Sequence, residues 1–323
     1  MKRWATGTLL DVLHRRGFAG VRVNHRFLAA CQQGVFLYDR GRITRLLRGR
    51  YFGMTRAGTP HTYYITEYTR KGRRRGDSPD ERSHIYRCRM EGGKLQIAEE
   101  VRFHRDGRRE WPIKVHQVRW HEGLLWVINT RQNVVWKAGP TGEILAEWTG
   151  SRRFAYVPES PREFMSRLRA SAEYHHYNSI AFRDGLIYVL AHNGTIKGQT
   201  RRSFMVTLDA GLREVDRRRD IGLACHDLFF HGDDLYICNS GEGTLLRNFQ
   251  PVAHTGYFVR GLARLGSILV MGGSIPRSDP EKRVTSRSRL FFVDVRTHRV
   301  IHTLALGHVG DVHDILALED DGE

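Results

Sequence analysis

Short apolar runs, each opened by a tight turn and closed by a polar exit, recur along most of this chain. Three stretches align directly: KVHQVRWHEGLLWVINTRQNVVWKA from Lys114, YHHYNSIAFRDGLIYVLAHNGTI from Tyr174, and ACHDLFFHGDDLYICNSGEGTLLRN from Ala224. Each reads as a short strand, a turn carrying Gly or Asp, a strongly apolar and aromatic strand, and a turn containing Asn. Two further copies keep the order, YFVRGLARLGSILVMGGSIP from Tyr257 and the more divergent YFGMTRAGTPHTYYITEYT from Tyr51. The turns His121-Glu122-Gly123, Arg183-Asp184-Gly185 and His231-Gly232-Asp233-Asp234 favour hairpins. Helical periodicity is scarce beyond the first twenty residues, except that SPREFMSRLRASAEYHH predicts a short helix from Pro161 with Ser160 at its N-cap.

Outer strands complete the units. VVWKAG with GEILAEW, RSFMVTLD with GLREVDRR, and RLFFVDVR with RVIHTLAL each add two strands to a hairpin, which gives a four-stranded antiparallel sheet per unit. SHIYRCRM and KLQIAEEVRF supply the same pair for the unit that begins at Tyr51. Spacing between equivalent core positions runs from 34 residues (Leu235 to Leu269) to about 60 (Leu125 to Ile187), so the extra length belongs in loops, the largest at 70–83 and 152–173. VHDILALED near the C-terminus is an inner strand without its partners, and RVNHRFLAACQQGVFLYD with RITRLLRG near the N-terminus is a set of partners without an inner strand. Joined, they make a composite blade. The predicted fold is therefore an all-β, six-bladed β-propeller forming a single domain over 1–323, with an N-terminal extension at about 1–20 and a closing strand at 312–319. A β-sandwich or mixed fold competes less well, because the unit repeats too regularly.

Composition leaves that picture intact. With 40% hydrophobic and 27% charged residues, the chain has enough apolar surface for a core and reads as soluble. Asp11, His14, Arg15 and Arg16 interrupt any signal-like apolar stretch, and LIYVLA and SILVMGG are strand-length, so the expectation is a cytoplasmic protein without membrane association. Cys31, Cys88, Cys225 and Cys238 are sparse and lack CxxC spacing, which argues against a disulfide framework or a thiolate zinc site. Cys225, beside His226, reads as core. The formal net charge of +17 is spread along the chain, with runs such as RKGRRR at 70–75, and no recognition helix or stacked-aromatic strand motif accompanies it. An anionic ligand or a generally basic surface fits this better than nucleic acid, and a protein partner is compatible with it.

Repetition turns sequence position into convergence. Counting back nine residues from Leu125, Ile187, Leu235, Leu269 and Tyr63 reaches His116, Asn178, His226, Arg260 and Met54, and the closing strand adds His313. Inner strands line the channel of a propeller, so these side chains are expected at one mouth. Three imidazoles can hold zinc, iron, manganese or copper, with Asn178 or water as a weak fourth ligand, or with His175 or His176 as a fourth imidazole if the register of that blade shifts by two, His176 sharing a strand face with Asn178. A metal-free pocket of hydrogen-bonding and acid–base histidines, and a channel merely lined by water, remain as alternatives. Asp227 and Asp314, one residue after two of the histidines, face away and suit supporting hydrogen bonds. Arg260 and Arg56, with Arg277 and Arg283, suit an anionic substrate. Asn129, Asn193 and Asn239 at the second-strand exits read as structural turn residues, and His192 beside them as the one with chemistry. GGSIPRSDPEKR fits neither a phosphate loop nor a dinucleotide motif, so no nucleotide cofactor is expected. Neither a G-x-S-x-G elbow nor an HExxH pattern is present.

With these hairpins, the composite blade and the His-Asp pairs at His226 and His313, the sequence resembles six-bladed propellers of the calcium-dependent lactonase and NHL-repeat superfamily. It is also similar to bacterial propeller proteins of unassigned function. The resemblance covers roughly residues 20–320 and is specific at the level of fold. It implies a calcium site of Glu, Asn and Asp, from which His116, Asn178, His226 and His313 depart. Two functions are carried forward: a metal-dependent hydrolase or oxidoreductase acting on a small anionic substrate, and a non-catalytic propeller that binds a protein or polyanion.

Overall fold

Runs of four to nine residues rich in aromatic and β-branched side chains form the strands of six four-stranded antiparallel sheets. The computed structural model describes residues 25–69, 82–156, 160–193, 195–196, 199–275 and 283–318. The innermost strands, in ring order, are Val312–Ala317, Tyr51–Arg56, Val115–His121, Tyr177–Arg183, His226–His231 and Phe258–Leu265, here the inner strands of blades 1 to 6. Each contacts the next around the ring, and Phe258–Leu265 contacts Val312–Ala317, so the circle closes.

Closure uses the C-terminal strand. Val312–Ala317 pairs with Arg26–Cys31, aligning Ala317 with Phe27 and Asp314 with Ala30, and Gly34–Asp39 and Arg42–Leu47 complete blade 1. No strand edge is left open at the ring junction. Blade 2 takes Ser83–Glu91 and Lys94–Val101 as its outer strands, as the sequence predicts. The insertion predicted at 70–83 lies mostly outside the described residues, as do the N-terminal extension and Arg277.

The core is divided among the seams between blades. Phe27, Tyr38 and Phe292 pack where blade 6 meets blade 1, with the Phe27 and Tyr38 rings stacked at 4.7 Å. Fully buried Trp136 packs against Phe103 where blade 2 meets blade 3. Burying such rings stabilises each seam by about 1.5–3 kcal/mol per side chain. The predicted helix forms over Pro161–Ala170, but Ser160 makes no side-chain capping bond and instead donates to the Glu163 carboxylate at 3.0 Å. Phe164, Met165 and Leu168 pack this helix against Ile113, Phe154 and Tyr174, fixing the segment that leads into the blade 4 inner strand. All four cysteines are buried free thiols, and burial pushes the Cys225 thiol up to about 12. Among the described residues, no helix is long and apolar enough to cross a membrane.

Candidate functional site

Every inner strand breaks register near its start. The breaks fall between Val115 and Gln117, Tyr177 and Ser179, His226 and Leu228, and Arg260 and Leu262, with corresponding breaks in blades 1 and 2. A bulge re-aims the side chain it carries, and here the bulges sit where the channel opens. Lys114, His176 and Ala224, each two residues before the counted channel position, adopt left-handed backbone with φ of 49°, 56° and 50°. These kinks take the chain off strand alternation as it enters blades 3, 4 and 5.

Two of the expected channel residues are misplaced by counting. In blade 3 Trp120 pairs with Leu125, whereas in blade 2 Arg56 pairs with Tyr63, so the blade 2 turn is two residues longer. Met54 therefore packs in the core, fully buried beside Ile65 and Cys88, and Phe52 takes the channel position. Arg56 lies four residues further along its strand, roughly 13 Å from that layer at about 3.3 Å per residue, at the opposite mouth. It does not join Arg260.

Five imidazoles gather at the first mouth. His116 lies 4.8 Å from His176 and 6.2 Å from His226, His176 lies 4.9 Å from His192, and His192 lies 5.1 Å from His226, measured between ring centroids. Phe52 stacks on His313 at 4.0 Å and on His116 at 5.3 Å, and Phe258 closes on His226 at 5.6 Å. Of the two blade 4 candidates, His176 joins the cluster. Asn178 instead donates to the Cys225 carbonyl at 2.8 Å and accepts from Ser179. Both ring nitrogens of His116 and of His313, together with Nε of Arg260, are buried without a hydrogen-bond partner among the described residues.

Burial first, and charge second, set the protonation state of this cluster. Burial, then surrounding cationic groups, hold His116, His176 and His313 well below the ordinary imidazole value, with Arg260 and Lys114 acting on all three. His192 is pushed down to about 4 by burial and then by Arg260, Lys114 and Arg283. His226 is lowered by burial first and Arg260 second. Ser240 gives its hydroxyl hydrogen to the Val259 carbonyl at 2.5 Å, so it accepts from Nδ1–H of His226 at 2.9 Å. The neutral His226 ring therefore carries its proton on Nδ1 and keeps a lone pair on Nε2.

A depressed imidazole value means that the unfolded chain binds protons the folded chain refuses as pH falls below about 6.5. The stability tied to these histidines is present above that value and lost below it, by up to about 1.4 kcal/mol per pH unit for each group. Asp227 acts in the opposite sense. Burial, then the Asp314 carboxylate, push it up to about 6, so its contribution is present below the ordinary carboxylate value and is lost as pH rises through 6. Since the histidines outnumber the two aspartates whose values are raised by burial, Asp227 and Asp311, thermal unfolding followed by circular dichroism is expected to show a lower midpoint at pH 5 than at pH 7.

The residues that follow the channel positions form a belt. Asp227 accepts from Gln117 Nε2 at 3.2 Å and from the Gly261 amide at 2.8 Å, and its own amide donates to Ser179 Oγ at 2.8 Å. Gln117 Oε1 accepts from the Ile180 amide at 2.7 Å. Asp314 accepts from the Met54 amide at 2.8 Å and from Arg119 at 3.1 Å. Gly53 completes the belt in blade 2, where a Cβ would lie 2.7 Å from the Gln117 Cα. Asp227 and Asp314 thus tie inner strands together, the supporting role expected of them, and do not face the mouth. Asn129, Asn193 and Asn239 also bind backbone, accepting from Ile113, donating to Arg202 and accepting from Leu223 respectively.

The expected metal triad is not assembled. His116 and His313 both pack on Phe52, and no three His, Cys, Asp or Glu side chains among the described residues are arranged to hold a metal ion. Calcium fits no better, because nitrogen donors and cations surround the mouth where it needs oxygen ligands. His192 was flagged by the sequence. Phe52, Phe258, Lys114 and the anchor Ser240 were not, and an irregular inner strand leaves no periodic signal for them. Because His116 buries two unbonded nitrogens against Phe52, His116→Phe is expected to stabilise the ligand-free protein by about 1–2 kcal/mol in urea unfolding.

No family model matches the sequence, and no curated protein is significantly similar to it. Solved structures are similar in fold. A structure of a nidogen/laminin complex superposes with a TM-score of 0.59 at 11% identity, covering 91% of this chain and 98% of that one. The periplasmic gluconolactonase of Pseudomonas aeruginosa gives 0.53 at 13% identity, covering 91% and 99%. A protein of unknown function from Bacteroides caccae gives 0.53 at 11% identity, covering 92% and 100%. At such identities the likeness is one of architecture. The chain is a six-bladed β-propeller of four-stranded blades, closed by its C-terminal strand.

Proposed function

We propose that the protein binds and turns over a small anionic substrate at the histidine-lined mouth, with Arg260 and Lys114 supplying charge and neutral imidazoles supplying hydrogen bonds and proton transfer. The observation that carries this is the set of buried, unpartnered nitrogens on His116, His313 and Arg260. Each such group costs about 1–3 kcal/mol when left unpaired, so a mouth that keeps several of them is prepared for a polar group that arrives from outside. The sign of the charge follows from the surroundings. Arg260, Lys114 and Arg283 all act on His313 and His192, while Asp227 and Asp314 are engaged in the belt.

An anion entering this mouth offsets those cations and raises the imidazole values toward neutrality, where a histidine is an effective acid or base. His226, with Nδ1–H held by Ser240, presents Nε2 as the proton acceptor. Arg260 orients the anion, and Phe52 and Phe258 give the mouth apolar walls that restrict water.

A second reading, metal-dependent turnover of the same class of substrate with zinc, iron, manganese or copper, is favoured by the number of imidazoles in one mouth and requires Phe52 to leave its stack. The third is a non-catalytic propeller that binds a protein or polyanion. Untagged protein is analysed for metal and titrated calorimetrically with succinate, citrate and inorganic phosphate, beside a triple His116→Ala, His226→Ala, His313→Ala variant whose folding is checked. Saturable anion binding by metal-free protein, lost in the folded variant, is the expected result. Near-stoichiometric metal that disappears in the variant replaces this reading with the second one. Absence of anion binding removes it.

A further inference from the structure

The other mouth of the channel is a different chemical environment. A cavity of about 340 Å³ opens at the end of the blade 1 inner strand and beside the parts of the blade 2, 3, 5 and 6 inner strands that approach their hairpin turns. Phe229, Leu262, Ile315 and Leu316 contribute apolar wall, while Arg56, Arg119 and Arg264 bring guanidinium groups from three blades. Among the described residues, no acidic side chain lines it. Behind the wall, Asp314 and the Met54 carbonyl hold Arg119 at 3.1 and 2.8 Å, Ala317 O accepts from Arg56 at 3.2 Å, and Gly266 O accepts from Arg264 at 2.7 Å. Three cations are thus held in place around an apolar floor. Fixed guanidiniums lose little freedom when an anion arrives and can receive a carboxylate in bidentate fashion.

We infer that this second mouth is a binding site for a small carboxylate carrying an apolar body, of the medium-chain acyl or aryl acid class. The volume lies at the lower end of the roughly 300–1,000 Å³ typical of ligand pockets, which suits such an acid. The apolar body covers Phe229 and Leu316, and the carboxylate meets Arg264 and Arg56. This site contains none of the histidines and is independent of the substrate reading of the first mouth.

Octanoate is the probe, with 1-octanol matching its body and acetate its charge. Binding is read by calorimetry on the full chain and on Arg264→Met, Phe229→Ala and His116→Ala variants, each checked for a cooperative thermal transition. Octanoate is expected to bind saturably, at least tenfold tighter than octanol or acetate. Affinity should fall about tenfold or more in Arg264→Met and in Phe229→Ala and stay unchanged in His116→Ala. If Phe229→Ala fails to fold, Arg264→Met alone decides. No saturable octanoate binding, equal binding of octanol, or a loss confined to His116→Ala overturns the inference.

Discussion

Replacing Asp314 with alanine is expected to destabilise the protein by about 2–4 kcal/mol, read as a lower urea midpoint and a melting temperature lower by roughly 5–10 °C. The side chain is 1% exposed, so water does not take over its duties. Removing it strands the Met54 amide, from which it accepts at 2.8 Å, takes the carboxylate from Arg119 at 3.1 Å, and loosens the blade 1 inner strand from blades 2 and 3. The larger cost is the buried Met54 amide left without an acceptor, since Arg119 is partly exposed and keeps the Met54 and Val118 carbonyls at 2.8 and 3.0 Å. Asp314→Asn keeps an acceptor for the Met54 amide and is expected to cost less than half as much. Equal losses for the two variants would mean that charge, not the hydrogen bonds to the neighbouring strand, holds the belt together.

Arg260→Met is expected to lower affinity for the anionic ligand of the first mouth about 100-fold while leaving the fold in place, measured by calorimetry alongside circular dichroism. Truncating a buried charged partner of a ligand typically costs 2–5 kcal/mol, of which about 2.7 kcal/mol corresponds to that factor. Arg260 is 7% exposed, its Nε is unpartnered among the described residues, and it acts on every imidazole of the cluster. Arg260→Lys is expected to recover only part of the affinity, since an ammonium lacks the planar fork.

The architecture was legible because each blade repeats a hairpin with the same turn chemistry, and the broken blade at the two ends could be recognised by what each half lacked. His116, His226 and His313 were legible for the same reason. The rest of the site depends on departures from repetition. Two additional residues in the turn before Tyr63 shifted Met54 and Arg56 away from the places that counting assigned them and brought Phe52 to the mouth. The left-handed kink at His176 delivers an imidazole from before its strand begins, and His192 arrives from beyond the end of another. A strand period cannot encode either displacement. The belt was half legible, since the alternation that turned Asp227 and Asp314 away from the channel also indicated that they serve the strands beside them.

The central claim is that an anion binds among imidazoles kept neutral by burial and by surrounding cations. The most direct test is calorimetric titration of metal-free protein at pH 7 with the tightest-binding carboxylate or phosphate, in two buffers of different ionisation enthalpy. The account predicts net proton uptake on binding, because the incoming charge raises depressed imidazole values, and a loss of that uptake in Arg260→Met. Binding without proton uptake, or no binding by metal-free protein, would contradict it.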